Sequence, residues 1–183
     1  MEHTMESYQR FLSGDESALS DIIREHKDGL MLYINSLVRN VDIAEELTEE
    51  TFVKLVLKRP KFLEKSSFKT WLYAVGRNVT LDYLRKNKQR ISLDECGEIT
   101  ADEESLEKSW LRQENRIHLH RTIEKLKPEY RQVLWLYYFE DLSHREISKI
   151  MGKSVHNIET LAYRARGALK QKLTEEGFSY EDV

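Results

Sequence analysis

The chain has 183 residues, enough for one large domain or two small ones. Seven Gly, two Pro, 33% charged residues and few alternating runs of Val and Ile argue against a sheet-built fold and for an all-α one. The net charge of -3 would argue against a polyanionic partner, but the charge is segregated. Five basic residues lie from Arg77 to Arg90 against Asp82, five from Lys153 to Lys172 against Glu159, and seven acids with no base from Asp94 to Glu107.

The first helical pattern runs from Asp15 to Arg39, where Leu19, Ile22, Ile23, Leu30, Tyr33, Ile34 and Leu37 share one side and Gly14 with Asp15 forms the break before it. His26 falls on that apolar side, the place of a core histidine rather than a ligand. Asn40 and Val41 make a short connection, and Asp42 with Glu45 three residues on has the form of an N-cap with its reciprocal acceptor. The helix from Asp42 to Lys58 then turns Ala44, Leu47, Thr51 and Leu55 toward a core. Its other side combines Glu45, Glu46 and Glu49 with Val53 and Val56. A solvated face has no use for the valines, whereas a docking surface for a partner helix uses acids and valines together.

Pro60 interrupts helix, and the loop over 59–67 interleaves Arg59, Lys61 and Lys65 with Phe62. Aromatic stacking beside phosphate attraction is the combination that catches unstacked bases. Next comes one helix from Ser66 to Arg85, with Lys86, Lys88 and Arg90 behind it. Phe68, Trp71, Leu72, Val75, Val79 and Tyr83 recur at steps of three and four and make a face to bury. Asn78, Asp82 and Arg85, with Arg77 beside them, make a polar face offered to a polyanion.

The stretch from Asp94 to Glu107 has high charge and no apolar period, which reads as a flexible acidic linker over 93–111 between domains 1–92 and 112–178. Its Cys96 is the only cysteine, so an internal disulfide is excluded and no zinc spacing exists; a reducing compartment fits. With no leader-like start and no apolar run of membrane-spanning length, the expected location is the cytoplasm, with no membrane insertion and no cofactor.

In the second domain a helix from Leu119 to Leu126 stops at Lys127-Pro128, and Pro128 opens the next. The segment to Glu140 holds Tyr130, Val133, Leu134, Trp135, Leu136, Tyr137, Tyr138 and Phe139, more apolar bulk than one small core can bury. Ser143 and Glu146 form a capping box for a short helix with Ile147, Ile150 and Met151 inward. Gly152 supplies a turn and Ser154 caps a second helix. There Val155, Ile158, Ala162, Ala165 and Leu169 make an apolar stripe, and His156, Asn157, Thr160, Tyr163 and Arg164 point outward. This is a helix-turn-helix, whose second helix enters a major groove N-terminus first, with Arg164, Arg166 and Lys170 suited to phosphates.

Taken together, the segments 42–52, 68–85 and 142–169 resemble the second and fourth regions of an extracytoplasmic-function (ECF) sigma factor of the sigma-70 family. The resemblance implies two helical domains, a region 2 bundle and a region 4 helix-turn-helix, and no covalent chemistry. It implies docking of Glu45, Glu46, Glu49, Glu50 and Val53 on core RNA polymerase, and contact of the aromatic helix with a second polymerase subunit. Docking would hold the two DNA-reading surfaces at a fixed separation on promoter DNA. The minus-ten element would meet Phe62, Lys65, Arg77, Asn78, Asp82 and Arg85, with Phe62 and Asn78 lining a pocket for a flipped base. The minus-thirty-five element would meet Ser154, His156, Asn157, Glu159, Thr160, Tyr163, Arg164 and Arg166. Glu159 and Leu161 stand where family members often carry basic residues; Glu159 is able to accept a hydrogen bond from a cytosine amino group. An anti-sigma factor is a further implied partner.

Two other readings compete. A helix-turn-helix regulator that never touches polymerase explains the second domain but leaves 68–85 without a role. A carboxylate metal enzyme built on Glu45, Glu46, Glu49 and Glu50 lacks the Glu-x-x-His pairs that such bundles use; His118 and His120 are two apart and point differently on a helix.

Overall fold

Three helix starts among the described residues are fixed by side-chain caps, and helix faces are shaped by a few small or self-satisfied residues. The computed structural model describes residues 2–60, 68–87 and 118–177. In the first half these form α1 (Glu2–Leu12), α2 (Ser17–Val38), α3 (Val41–Lys58) and α4 (Phe68–Lys86). The second half holds α5 (118–124), α6 (Pro128–Tyr138), α7 (His144–Met151) and α8 (Val155–Glu175). The fold is all-α, as expected; no strand occurs among the described residues. The 93–111 linker, with Cys96, and the loop residues Phe62 and Lys65 lie outside the described residues.

The helix α2 ends at Arg39, which takes a left-handed φ of 57° so that its amide reaches the Asn35 carbonyl. Asn40 follows in extended conformation, and its side chain accepts from the Ile43 amide at 3.0 Å, so Asn40 and not Asp42 caps α3. The expected box fails because the acceptor two residues earlier already satisfies that turn. Asp42 sits inside the first turn, where its charge still complements the helix dipole, and Glu45 pairs with Lys27 at 3.0 Å. No sequence expectation covered α1, which packs on α2 and buries Tyr8, its ring 5.1 Å from that of Phe68 in α4.

The first core is built from Ile22, Leu30, Tyr33 and Ile34 of α2, Ala44, Leu47, Phe52 and Leu55 of α3, and Phe68, Leu72, Tyr73 and Val79 of α4. Gly76 lets α4 come close: a Cβ there would lie 2.9 Å from Leu30 Cδ1. Thr48, Thr51 and Thr80 are fully buried, and each hydroxyl donates to the carbonyl four residues earlier, at 2.7, 2.7 and 2.8 Å. Hydroxyls satisfied inside their own helix ask nothing of the facing helix, so they pack there like short apolar groups. His26 is buried with its ring 5.5 Å from that of Phe68, and burial lowers its pKa despite the opposing pull of Glu25.

In the second half, Val133, Leu134 and Leu136 of α6 pack on α7 and α8 with Leu142, Ile147, Ile150, Met151, Ile158, Ala162, Ala165 and Leu169. Trp135 is buried as well, stacked on Phe139 with centroids 4.5 Å apart, whereas Tyr137 and Tyr138 remain exposed. The surplus of aromatic surface foreseen for this helix is therefore found in those two tyrosines.

The two halves touch. Helix α2 packs on α6, and α4 packs on α7. Lys69 of α4 bonds both the carboxylate and the carbonyl of Glu140, each at 2.9 Å, and Arg77 Nε donates to Gln132 Oε1 at 2.9 Å. Arg131, only 6% exposed, donates to the carbonyls of Ser36 (3.0 Å), Glu124 (3.2 Å) and Leu126 (3.1 Å). Arg39 donates to the Glu124 carbonyl from the other side. This corrects the expectation of a one-faced α4. Phe68, Leu72 and Val79 are buried as foreseen, but Trp71, Val75 and Tyr83 are half-buried, and Thr70 and Tyr73 are buried as well. The second half covers part of what the helical pattern alone leaves to solvent.

Candidate nucleic-acid interface

Helix α7 starts where its sequence says. Ser143 accepts from the Glu146 amide at 3.3 Å, and the Glu146 carboxylate accepts from the Ser143 amide at 2.9 Å. Gly152 closes α7 at φ 65°, a conformation that suits a residue without a side chain. Two residues later Ser154 accepts from the Asn157 amide at 3.2 Å and opens α8. Two caps and one left-handed glycine thus set the angle between the two helices of the motif. Ile158, Ala162, Ala165 and Leu169 anchor α8 as expected, but Val155 is 39% exposed, because it lies at the first turn beyond the reach of α7.

The face that remains carries His156, Asn157, Glu159, Tyr163 and Arg164, all exposed, and half-buried Thr160. Lys153, Asn157, Thr160 and Arg164 line one shallow cleft beside Leu161, so donors from two turns converge there. Lys153 is drawn to Glu129 at 3.0 Å. Arg166 is half-buried and its guanidinium stands 5.9 Å from the Tyr137 ring, which turns it back toward α6 and away from the Asn157 face. The Ser154 hydroxyl is committed to its cap.

On α4, Asn78, Asp82 and Arg85 are exposed along one line, with Arg85 and Asp82 paired at 3.2 Å. Arg77, expected among them, is half-buried and held by Gln132. On α3, Glu45, Glu46, Glu49, Glu50 and Val53 are all exposed; Glu50 pairs with Lys54 at 2.8 Å. Val56 is half-buried against the core instead of joining that face. Leu57, at 76% exposed, takes its place beside Val53 at 54%. Leu57 was missed, although its spacing of four from Val53 was there to be read.

Among the described residues, no group of three His, Cys, Asp or Glu side chains is placed to hold a metal ion, and no helix is long and apolar enough to cross a membrane. The chemistry on offer is recognition: donors and a carboxylate on α8, an amide and charges on α4, and an acidic surface with two apolar residues on α3.

Comparison with known proteins places two family models on the chain, Sigma-70 region 2 over residues 22–90 and Sigma-70, region 4 over residues 116–169. The ECF RNA polymerase sigma factor SigW of Bacillus subtilis (strain 168) is 30% identical over 172 residues, covering 88% of this chain and 92% of that protein. The ECF RNA polymerase sigma factor SigM of the same organism is 27% identical over 152 residues, covering 83% and 93%. Among solved structures, the sigma factor RpoE in complex with the anti-sigma factor NepR from Bartonella quintana superposes with a TM-score of 0.65 at 22% identity, covering 84% of this chain and 97% of that one. At that identity the likeness concerns the fold.

Proposed function

The chain belongs to the ECF sigma factors of the sigma-70 family, and on that premise we propose how its surfaces divide the work of promoter recognition. It is a sigma factor, a non-enzymatic initiation factor that binds core RNA polymerase and directs promoter-specific transcription. Domain 1–92 docks on polymerase through Glu45, Glu46, Glu49, Glu50, Val53 and Leu57 and reads the minus-ten element. Domain 112–178 reads the minus-thirty-five element, and 93–111 joins the two. The chain works in the cytoplasm, where the polymerase is, and an anti-sigma factor is its regulatory partner.

The observation that carries the division of labour is the free face of α8. His156, Asn157, Glu159, Tyr163 and Arg164 are exposed on a helix whose opposite side is anchored and whose start is capped. Polar side chains in the first two turns of such a helix are those that reach base edges. Exposed Asn78 and Asp82 on α4 support a second, separate reading surface, with Phe62 and Lys65 of the preceding loop assigned to the flipped base. Arg85 supplies phosphate attraction there, and Arg77 joins it once free of Gln132.

The test combines the purified chain with core polymerase on promoter fragments and maps unpaired thymines with permanganate. Reactive thymines near the start site that need both chain and polymerase are the expected result. A footprint on duplex DNA from the chain alone, unchanged by polymerase, would instead favour the helix-turn-helix regulator.

A further inference from the structure

Helix α1 reaches both ends of the loop that precedes α4, and it does so with one side chain. The Tyr8 hydroxyl donates to the Pro60 carbonyl at 2.7 Å. Its ring centre lies 5.1 Å from that of Phe68, the first residue of α4. Tyr8 therefore touches the chain on either side of residues 61–67. One turn further along α1, buried Phe11 has its ring centre 5.1 Å from the Arg59 guanidinium. Burial pushes the Tyr8 pKa up to about 12 against the pull of Arg59, so the hydroxyl keeps its proton and stays the donor at neutral pH.

Arg59 is where such a hold is needed. It closes α3 at φ 40° and ψ 55°, with its amide on the Leu55 carbonyl at 3.0 Å. A side chain disfavours that left-handed region, and the proline that follows presses residue 59 toward extended backbone instead. A residue so placed keeps its conformation only where its surroundings over-determine it. Here the Leu55 carbonyl engages the amide, Phe11 the guanidinium, and Tyr8 the carbonyl of the next residue. Relaxed toward extended backbone, the chain would leave α3 in another direction.

We propose that Tyr8 is a positioning residue for promoter opening: with Phe11 and Arg59 it fixes where the chain leaves α3, through Phe68 it fixes where α4 begins, and it thereby places the loop that catches the flipped base. The proposal rests on the assignment of that base to Phe62 and Asn78 given above. Tyr8, at 1% exposed, acts through the backbone it holds and not by touching DNA. A loop with both ends held has less conformational freedom to lose when it takes up a base, so the base binds more tightly.

Single-stranded DNA separates positioning from folding. Core polymerase carrying the full chain is titrated with an oligonucleotide of the non-template minus-ten strand of a promoter it transcribes, either intact or with the base removed at each position in turn. With Tyr8 present, removal at the captured position should weaken binding at least about five-fold, as for one stacked base. Tyr8→Phe keeps the ring on Phe68 and removes only the bond to Pro60, and it should cut that ratio about two- to ten-fold, as for one net hydrogen bond. Phe11→Leu keeps an apolar side chain but removes the ring beside Arg59, and should move the ratio in the same direction. Thr4, which bonds Glu25 of α2, provides the control on the same helix: Thr4→Val should leave the ratio unchanged. Loss of folded chain lowers the active fraction on both oligonucleotides and does not move a ratio of dissociation constants. An unchanged ratio in Tyr8→Phe, or an equal fall in Thr4→Val, overturns the positioning role and leaves the base-capture reading standing. Equal binding of intact and base-less strands with Tyr8 present overturns base capture itself, and the positioning role with it.

Discussion

Replacing Asn78 by Ala should move stability and function in opposite directions. Asn78 is exposed in the interior of α4, and its burial contributes nothing to the core. Ala is the better helix former there by about half a kcal/mol, so the variant should melt slightly higher, not lower. Its proposed role is to hold a flipped base by hydrogen bonds, and losing such a contact costs about 1–3 kcal/mol. At about 1.36 kcal/mol per factor of ten, promoter opening should fall roughly five- to 150-fold. Polymerase binding should not change, because Asn78 is on α4 whereas the proposed docking face is on α3. Permanganate reactivity of the holoenzyme gives the first quantity, titration of labelled chain with core polymerase the second, and a thermal melt the third. Equal losses of opening and polymerase binding, or a lowered melting temperature, would refute the reasoning.

Other surfaces give equally definite expectations. Arg164→Ala should weaken binding to the upstream element and reduce the salt slope by about one, as for a single lost phosphate contact; an unchanged slope contradicts that role. Val53→Asp and Leu57→Asp should each reduce polymerase affinity about ten-fold with little change in unfolding midpoint, since both side chains are already exposed; wild-type affinity in a competition assay would remove them from the docking face. Stability should decline as pH falls below about 6.5, where an unfolded histidine takes up a proton that buried His26 resists. Because folding then excludes protons, unfolding is favoured by acid. His120, also lowered by burial, adds the same sign, so His26→Gln should flatten the urea midpoint against pH only in part; a slope identical to wild type would show that His26 is not its source.

What could be read in the sequence was local. Ser143 with Glu146, Gly152, Ser154 and Pro128 each act within a few residues, and each appears in the structure where expected. The cap of α3 was misplaced because Asn40 and Asp42 are both good caps and only backbone conformation chooses between them. The burial of Thr70, Tyr73, Arg131, Gln132 and Glu140 was not legible, since it depends on a partner surface more than fifty residues away in the chain. Arg77 shows the same limit: helical position puts it beside Asn78, but Gln132 decides where its guanidinium goes. The exposure of the candidate residues on α3 and α8 was largely foreseen, because amphipathic spacing determines it without reference to the other half.

The buried threonines, read beside the bonds that join the halves, separate two kinds of cohesion. Thr48, Thr51 and Thr80 turn their hydroxyls back on their own helices, which leaves helix-to-helix contact in the first core to apolar surface. Lys69, Arg77 and Arg131 instead carry directional bonds from one half to the other. Exposure of apolar surface raises heat capacity and exposure of polar surface lowers it. Melting the apolar core should therefore leave a large calorimetric trace and respond weakly to ionic strength, while the charged bonds between the halves should respond to it more strongly.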